Sequence, residues 1–204
     1  MRDVVLVAGT FAGNPAWIED RTHPFQQMLA RVGLRTARDP DTGLPFRWST
    51  TLGGLPLIYR NVWKREADQL LTFALKTGCY DWIMHSHGGQ LGIHAAAALT
   101  GIQRVRTMTT LGTPNRNDVP QREAAANCDY WQHVTDRHVD VVATLRRRLG
   151  QIGDGQVSLE RRILQPGVVN VQLRHIGHSL LLNGQLDNWE AHGLLLPITR
   201  ETQP

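Results

Sequence analysis

The sequence predicts an α/β fold in which a mainly parallel sheet carries helices on both faces. Short runs rich in β-branched residues alternate with segments whose apolar residues recur at helical spacing. The 204 residues are enough for one substantial core and too few for two ordinary domains. A content of 41 % hydrophobic and 20 % charged residues is typical of a folded protein and excludes a mainly disordered chain. We therefore expect residues 1–204 to form a single domain.

The first part of the chain predicts two β-strand and α-helix units. A strand over Val4–Ala8 is broken by Gly9, and the helix after it stops near Gly33. A second strand is predicted over Phe46–Thr50, followed by a helix that ends at Gly78. The apolar stripes of the two helices are formed by Phe25, Met28, Leu29 and Val32 and by Trp63, Ala67, Leu70, Leu71 and Ala74.

The remainder predicts four more strands with helices between them, which brings the sheet to about six strands. The strands are Tyr80–Met84, Val105–Leu111, Trp131–Thr135 and Val168–Leu173. The helices cover Leu91–Leu99, the stretch marked by Val141, Val142, Leu145 and Leu149, and part of Leu180–Leu196. The connections Arg35–Arg47 and Gly150–Gly167 are predicted to be irregular.

The charge pattern argues against a nucleic-acid-binding protein. The net charge is +4, but the cations are spread along the chain apart from Arg146–Arg148 and Arg161–Arg162. The arginine run Arg146–Arg148 is explained by the solvated face of a helix. We expect no nucleic-acid partner, and the sequence leaves the oligomeric state open.

Cysteine content and hydropathy favour a soluble protein without a disulfide framework. Cys79 and Cys128 are too few for such a framework and lack the spacing of a metal site. The apolar run Val4–Ala8 is shorter than the core of a signal peptide, and no later run approaches a membrane span. We therefore expect a cytoplasmic protein, or one released without a cleavable leader, and no integral membrane association.

The strongest local indication of chemistry is the segment Met84–Gly89, which reads MHSHGG where a strand ends and a helix begins. Such a turn exposes the hydroxyl of Ser86 beside a backbone N–H at the helix N-terminus, as a nucleophile requires. Gly88 and Gly89 supply the small residues that let the helix turn back close to the strand. Met84 replaces the first glycine of the G-x-S-x-G pattern, and we expect its side chain to point away from the helix.

A serine nucleophile needs a general base and an acid that orients this base. His178 lies on a glycine-containing loop directly after the last predicted strand, where catalytic groups collect in open α/β sheets. It is the preferred base, with His175 as the alternative. Asp140 follows the preceding strand and is the preferred acid, with Asp118 and Asp136 as alternatives.

The turn after the first strand is the predicted oxyanion hole. Its backbone can face Ser86, so that an N–H of Thr10 or Phe11 acts together with the N–H of His87 on the tetrahedral oxyanion. His87 and Phe11 are also candidates for lining the substrate pocket, as is Trp17. A surface position explains His87 as well, and core packing explains the two aromatic residues.

Five segments, VVLVAGTFAG, MHSHGGQLG, TTLGTPN, DVVATL and HIGHSLL, occur in an order that resembles the lipase and esterase branch of the α/β-hydrolase fold. The resemblance spans Val4–Leu182. It implies a three-layer fold without a separate cap domain and a serine hydrolase that cleaves carboxylic esters through an acyl-enzyme. Small-molecule or lipid esters are the implied substrates, with no cofactor and no metal. Ala8, where the family has histidine, and Met84 depart from the pattern, and neither belongs to the triad.

Other readings of these residues stay open. The triad also serves thioesterases, amidases and acyltransferases, and the same fold can act as a non-catalytic binding module. A zinc hydrolase with the H-x-H-x-D-H signature is disfavoured because Gly89 and Gln90 stand where it needs aspartate and histidine.

The predicted hydrolase core uses most of the chain, so the segments that could form a lid over the site are limited to Asn115–Asn127 and Gly150–Gly167. We expect a near-minimal enzyme with an open pocket.

Overall fold

The structure, a computed structural model, describes residues 1–9, 15–48, 59–113, 118–136, 165–173, 189 and 193–199. Within these ranges six strands form one sheet, in the order β2-β1-β3-β4-β5-β6, and every neighbouring pair is parallel. The strands are β1 (Arg2–Val7), β2 (Leu34–Thr36), β3 (Asp81–His85), β4 (Val105–Leu111), β5 (Cys128–Asp136) and β6 (Val168–Leu173).

Helices cover both faces of this sheet. They are α1 (Ala16–Glu19), α2 (Pro24–Arg31), α3 (Tyr59–Thr77), α4 (His87–Ala98), α5 (Val119–Ala126) and α6 (Leu196–Thr199). In β1, Val5 and Val7 face a core shared with α3, α4 and α5, whereas Val4 and Leu6 face a core shared with α1, α2 and α6. This alternation is the period of two that a strand buried on both faces requires. Among the described helices, none is long and apolar enough to cross a membrane.

The strand order changes direction between β1 and β3. The chain places β2 on one side of β1 and then returns to place β3 on the other side. The carboxyl ends of β1 and β3 are therefore neighbours. The chain continues from β1 to α1 and α2 on one face of the sheet, and from β3 to α4 on the other face. A crevice at such a switch point is where open α/β sheets bind ligands. The fold thus puts the residues after Val7 and after His85 at the position best suited to a site.

Most of the predicted strands are confirmed, and β6 has the predicted bounds Val168–Leu173. The prediction over Phe46–Thr50 is wrong for its described part, because Phe46 and Trp48 belong to a loop and are buried against the α3 side of the sheet. The second strand is Leu34–Thr36, which partly overlaps the segment predicted to be irregular. Three residues are too few for an alternating pattern to be visible in the sequence.

The segment 115–127 does not form a lid in its described part. Its residues from Val119 to Ala126 form α5, which buries Gln121 and Ala124. The Asn127 side-chain amide donates to the carbonyls of Ala96 at 2.9 Å and Leu99 at 3.1 Å, at the end of α4. These contacts make α5 part of the layer that covers the sheet. The predicted helix around 141–149 and residues 150–164 of the second possible lid lie outside the described residues.

Candidate active site

Ser86 occupies a strained turn between β3 and α4. Its backbone has φ 55° and ψ −129°, and it is the one non-glycine residue with a positive φ in the described part of the chain. The Ser86 N–H donates to the carbonyl of Leu111 at 2.8 Å, which ties the turn to the end of β4. A conformation of this kind costs about 1–3 kcal/mol for a residue with a side chain and persists where the surroundings enforce it. The strand, turn and helix predicted around Ser86 are therefore present.

Two glycines permit the close approach of α4 to the neighbouring strands, as the sequence predicts. A Cβ on Gly88 would lie 2.8 Å from the carbonyl oxygen of Val7 and closer still to that of Ala8. A Cβ on Gly89 would overlap the side chain of Thr113, which is fully buried. The first turn of α4 thus touches the end of β1 and the second residue after β4, and a larger residue at position 88 or 89 would push the turn outward.

Met84 departs from the prediction that its side chain points away from the helix. The thioether lies directly against Gly92 of α4, where the added Cβ of any other residue would overlap its sulphur and methyl group. Both residues are on the same side of the sheet, and Met84 is fully buried. The pattern has a glycine two positions before the serine, where this chain has Met84. Here Gly92, about one and a half turns into α4, provides the space between strand and helix instead. This exchange of large and small residues preserves the spacing of strand and helix.

We expect Gly92→Ala to raise the free energy of unfolding less in the wild type than in a Met84→Ala background, because in the wild type the Met84 sulphur and methyl group must shift to admit the added Cβ. Helix propensity favours alanine over glycine by about 1 kcal/mol in both backgrounds. The end of the Met84 side chain is flexible, so the shift offsets part of that gain. Urea denaturation of the four proteins measures the changes. Equal effects of Gly92→Ala in the two backgrounds would contradict the packing.

Gly9, which follows β1, forms the wall beside the candidate nucleophile. A Cβ on Gly9 would lie 2.7 Å from Cβ of Ser86 and 3.3 Å from its Oγ. The Nδ1 atom of His85 would lie 3.4 Å from the same position. The absence of a side chain at residue 9 therefore leaves room for the hydroxymethyl group of Ser86, which is half-buried. The segment predicted to form the oxyanion hole begins at this contact.

Of the predicted oxyanion donors, His87 lies within the described residues. It is half-buried at the first position of α4, where the helix ladder does not use the backbone N–H. Thr10 and Phe11 lie outside the described residues. Trp17, considered for the substrate pocket, is buried, with its ring 5.5 Å from that of Phe25 in an edge-to-face contact. Core packing accounts for Trp17.

The preferred acid and base, Asp140 and His178, and the alternative base His175 lie outside the described residues. The two alternative acids have defined places. Asp136 is the last residue of β5. Asp118 is the N-cap of α5, and its carboxylate accepts the N–H of Gln121 at 3.4 Å. A capping role explains Asp118 without catalysis.

His133 is a histidine near the predicted acid loop that the structure assigns to the core. It is fully buried in β5, and its Nδ1 lies 2.9 Å from the hydroxyl of Thr110. Burial lowers the pKa of His133 to about 3, so the ring is neutral at neutral pH. Substrate has no access to such a side chain. Among the described residues, no group of three histidine, cysteine or acidic side chains is placed to hold a metal ion.

Trp48 contacts the residue that precedes Gly9, and nothing in the sequence indicates this contact. Its indole N–H donates to the carbonyl of Ala8 at 2.9 Å, across 40 positions of the chain. No motif contains Trp48, and the sequence predicts a strand over Phe46–Thr50 where the structure has a loop. A contact between a loop and a strand end at such separation depends on the tertiary fold.

No protein-family model and no curated protein sequence matches the chain. Solved structures do match. A protein described as a predicted CIB-like hydrolase from Thermoplasma acidophilum superposes with a TM-score of 0.57 at 11 % identity, over 97 % of this chain and 86 % of the other. The mature lipase BlEst2 of Bacillus licheniformis superposes with a TM-score of 0.57 at 13 % identity, over 98 % of this chain and 92 % of the other. At such identities the likeness establishes the fold and leaves the reaction to be argued from the site.

Proposed function

Because the chain has the α/β-hydrolase fold, we propose that it is a serine hydrolase that cleaves carboxylic esters, with Ser86 as its nucleophile. One observation carries the proposal. Ser86 alone among the described non-glycine residues has a positive φ, on a turn at the switch point of the sheet. Strain of this kind has a functional explanation here, because the turn holds the hydroxyl clear of the sheet and next to a helix N-terminus.

The proposed reaction has two halves. His178 takes the proton of Ser86 as its oxygen attacks the ester carbonyl, and then gives that proton to the leaving alcohol. The acyl group stays on Ser86 until water, deprotonated by His178, attacks its carbonyl carbon. The bond to the Ser86 oxygen then breaks, His178 returns the proton to that oxygen, and the carboxylic acid leaves. Asp140 orients His178 and stabilises its charged form.

Backbone donors hold the negative oxygen of each tetrahedral intermediate. The N–H of His87 and an N–H of Thr10 or Phe11 are the proposed donors, and removal of one donor of this kind costs about 100- to 1000-fold in rate. The proposed mechanism uses no metal and no organic cofactor.

The proposed substrates are small-molecule or lipid esters. The Bacillus licheniformis structure is described as a lipase, which makes esters the first substrates to be assayed. Hydrolysis of thioesters or amides and acyl transfer to an acceptor other than water use the same groups and are the alternative reactions.

A series of p-nitrophenyl esters of increasing acyl length, assayed beside a fluorophosphonate label, tests this function. We expect turnover of at least part of the series and labelling of Ser86, identified by mass spectrometry of the modified peptide. Parallel thioester and amide substrates distinguish the related acyl-transfer activities. Neither turnover nor labelling would contradict the proposal and favour a non-catalytic binding protein with this fold.

Substitution of the candidate acids distinguishes their roles. Asp118→Asn keeps an N-cap residue of equal quality, so we expect wild-type turnover and wild-type stability. Asp140→Asn removes the proposed orienting carboxylate, and a loss on the order of 10⁴-fold in kcat is typical for that change. Steady-state kinetics of the two variants and of Asp136→Asn give the assignment. A large loss at Asp118 with Asp140 unaffected would reverse it.

A further inference from the structure

The carbonyl of Ala8 is held from two sides. On one side the indole N–H of Trp48 donates to it at 2.9 Å in a buried hydrogen bond. On the other side lies Gly88, whose lack of a side chain lets the first turn of α4 rest against this carbonyl. Ala8 and Trp48 are both buried, with 6 % and 8 % of their surfaces exposed. The carbonyl therefore has little freedom to rotate.

The orientation of this carbonyl bears directly on Gly9. The Ala8 carbonyl and the Gly9 N–H belong to one planar trans peptide group, so fixing the direction of one fixes the other. Gly9 has no side chain to hold it by packing, and glycine has more backbone freedom than any other residue. The same Gly9 is the wall against which the Ser86 hydroxymethyl group lies. A rotation of this peptide would move the wall.

We propose that Trp48 is a positioning residue for Ser86, acting through the Ala8 carbonyl and Gly9. It contributes no group to the reaction. Its indole N–H holds the end of β1 in the one orientation that leaves the Ser86 hydroxyl free to approach a substrate carbonyl. The inference rests on the proposed function, because it assigns Trp48 to the same nucleophile.

Trp48→Phe tests the proposal, because it removes the N–H and keeps an aromatic side chain. We expect kcat to fall about 10- to 100-fold with KM changed by less than about twofold, since small displacements of reacting groups have effects of that size. The second-order rate of fluorophosphonate labelling is expected to fall in the same proportion.

The matched control is Trp82→Phe. Trp82 is fully buried, and its indole N–H also donates to a backbone carbonyl, that of Cys79 at 3.2 Å. The accepting carbonyl precedes β3, so this bond lies at the amino end of the strand, whereas Ser86 follows its carboxyl end. Both variants lose the same kind of bond and a similar aromatic volume, so we expect similar losses of melting temperature but an intact kcat for Trp82→Phe. Equal kcat losses in the two variants would reduce Trp48 to a core residue and overturn the proposal.

Ser86→Ala separates a failure of this inference from a failure of the proposed function. If Ser86→Ala abolishes turnover and Trp48→Phe has wild-type kinetics, the inference alone is wrong. If Ser86→Ala retains full turnover, the proposed function is wrong and the inference fails with it. Should Trp48→Phe not fold, incorporation of benzothienylalanine at position 48 replaces N–H by sulphur in a ring system of the same shape, and the same loss of kcat is expected.

Discussion

Ser86→Ala is expected to lower kcat on p-nitrophenyl esters by a factor on the order of 10⁶ and to abolish fluorophosphonate labelling, as removal of a serine nucleophile does. The structure places no second hydroxyl in the same turn, which reads His85, Ser86, His87, Gly88. Substrate binding does not depend on the hydroxyl, so KM is expected to change far less than kcat. The circular dichroism spectrum is expected to match that of the wild type, because the substitution removes one oxygen atom from a half-buried side chain and adds no bulk.

Two further variants sharpen this test. Ser86→Gly is expected to be as inactive as Ser86→Ala and more stable than the wild type, because glycine accepts φ 55° without the strain. Thr72→Ala, at an exposed position of α3, is the control for loss of a hydroxyl elsewhere and is expected to keep full activity. If Ser86→Ala retained more than a small fraction of the wild-type rate in a purified sample, the nucleophile would have to be sought elsewhere.

His178→Ala is expected to reduce turnover nearly as much as loss of the nucleophile, because a serine hydroxyl attacks esters very slowly without a base. The matched variant His175→Ala, three residues away on the same predicted loop, is expected to keep most of its activity. The rate of fluorophosphonate labelling is expected to fall with kcat, since labelling uses the same base.

The pH profile gives independent support for a histidine base. A protonated imidazole cannot accept the proton of Ser86, so wild-type kcat/KM is expected to fall as the pH drops through the range where histidine becomes charged. His133 does not account for that transition, because its pKa of about 3 lies well below it. If His175→Ala showed the large loss in place of His178→Ala, the base would be His175. Full activity in both variants would contradict the proposed triad.

Features that depend on local sequence could be predicted. Val168–Leu173 and Val105–Leu111 are alternating or β-branched runs bounded by turn residues, and both form strands with the predicted bounds. The position of Ser86 at a strand and helix junction follows from a buried run before it and two glycines after it. Each of these inferences needs fewer than ten neighbouring residues, and the structure confirms the elements.

Features that depend on contacts between distant segments could not be predicted. The bond from Trp48 to Ala8 joins positions 40 residues apart, and the loop that carries Trp48 resembles a strand in its apolar spacing. The prediction that the Met84 side chain points away from the helix is also wrong, because Gly92, eight positions later, creates space for it against α4. Comparison with the G-x-S-x-G pattern shows that the first glycine is replaced by Met84. It does not show that a glycine in the following helix makes room for the methionine.

The packing of Met84 on Gly92 has a consequence for changing this protein. The two positions depend on each other, because a side chain at 92 requires the methionine to move and a smaller residue at 84 leaves a void under the helix. We therefore expect them to be coupled, with alanine at 92 stabilising the helix more beside alanine at 84 than beside methionine. A scan of single substitutions would miss this dependence, whereas a paired library would find it. A search pattern that demands glycine two residues before the serine would also pass over this chain.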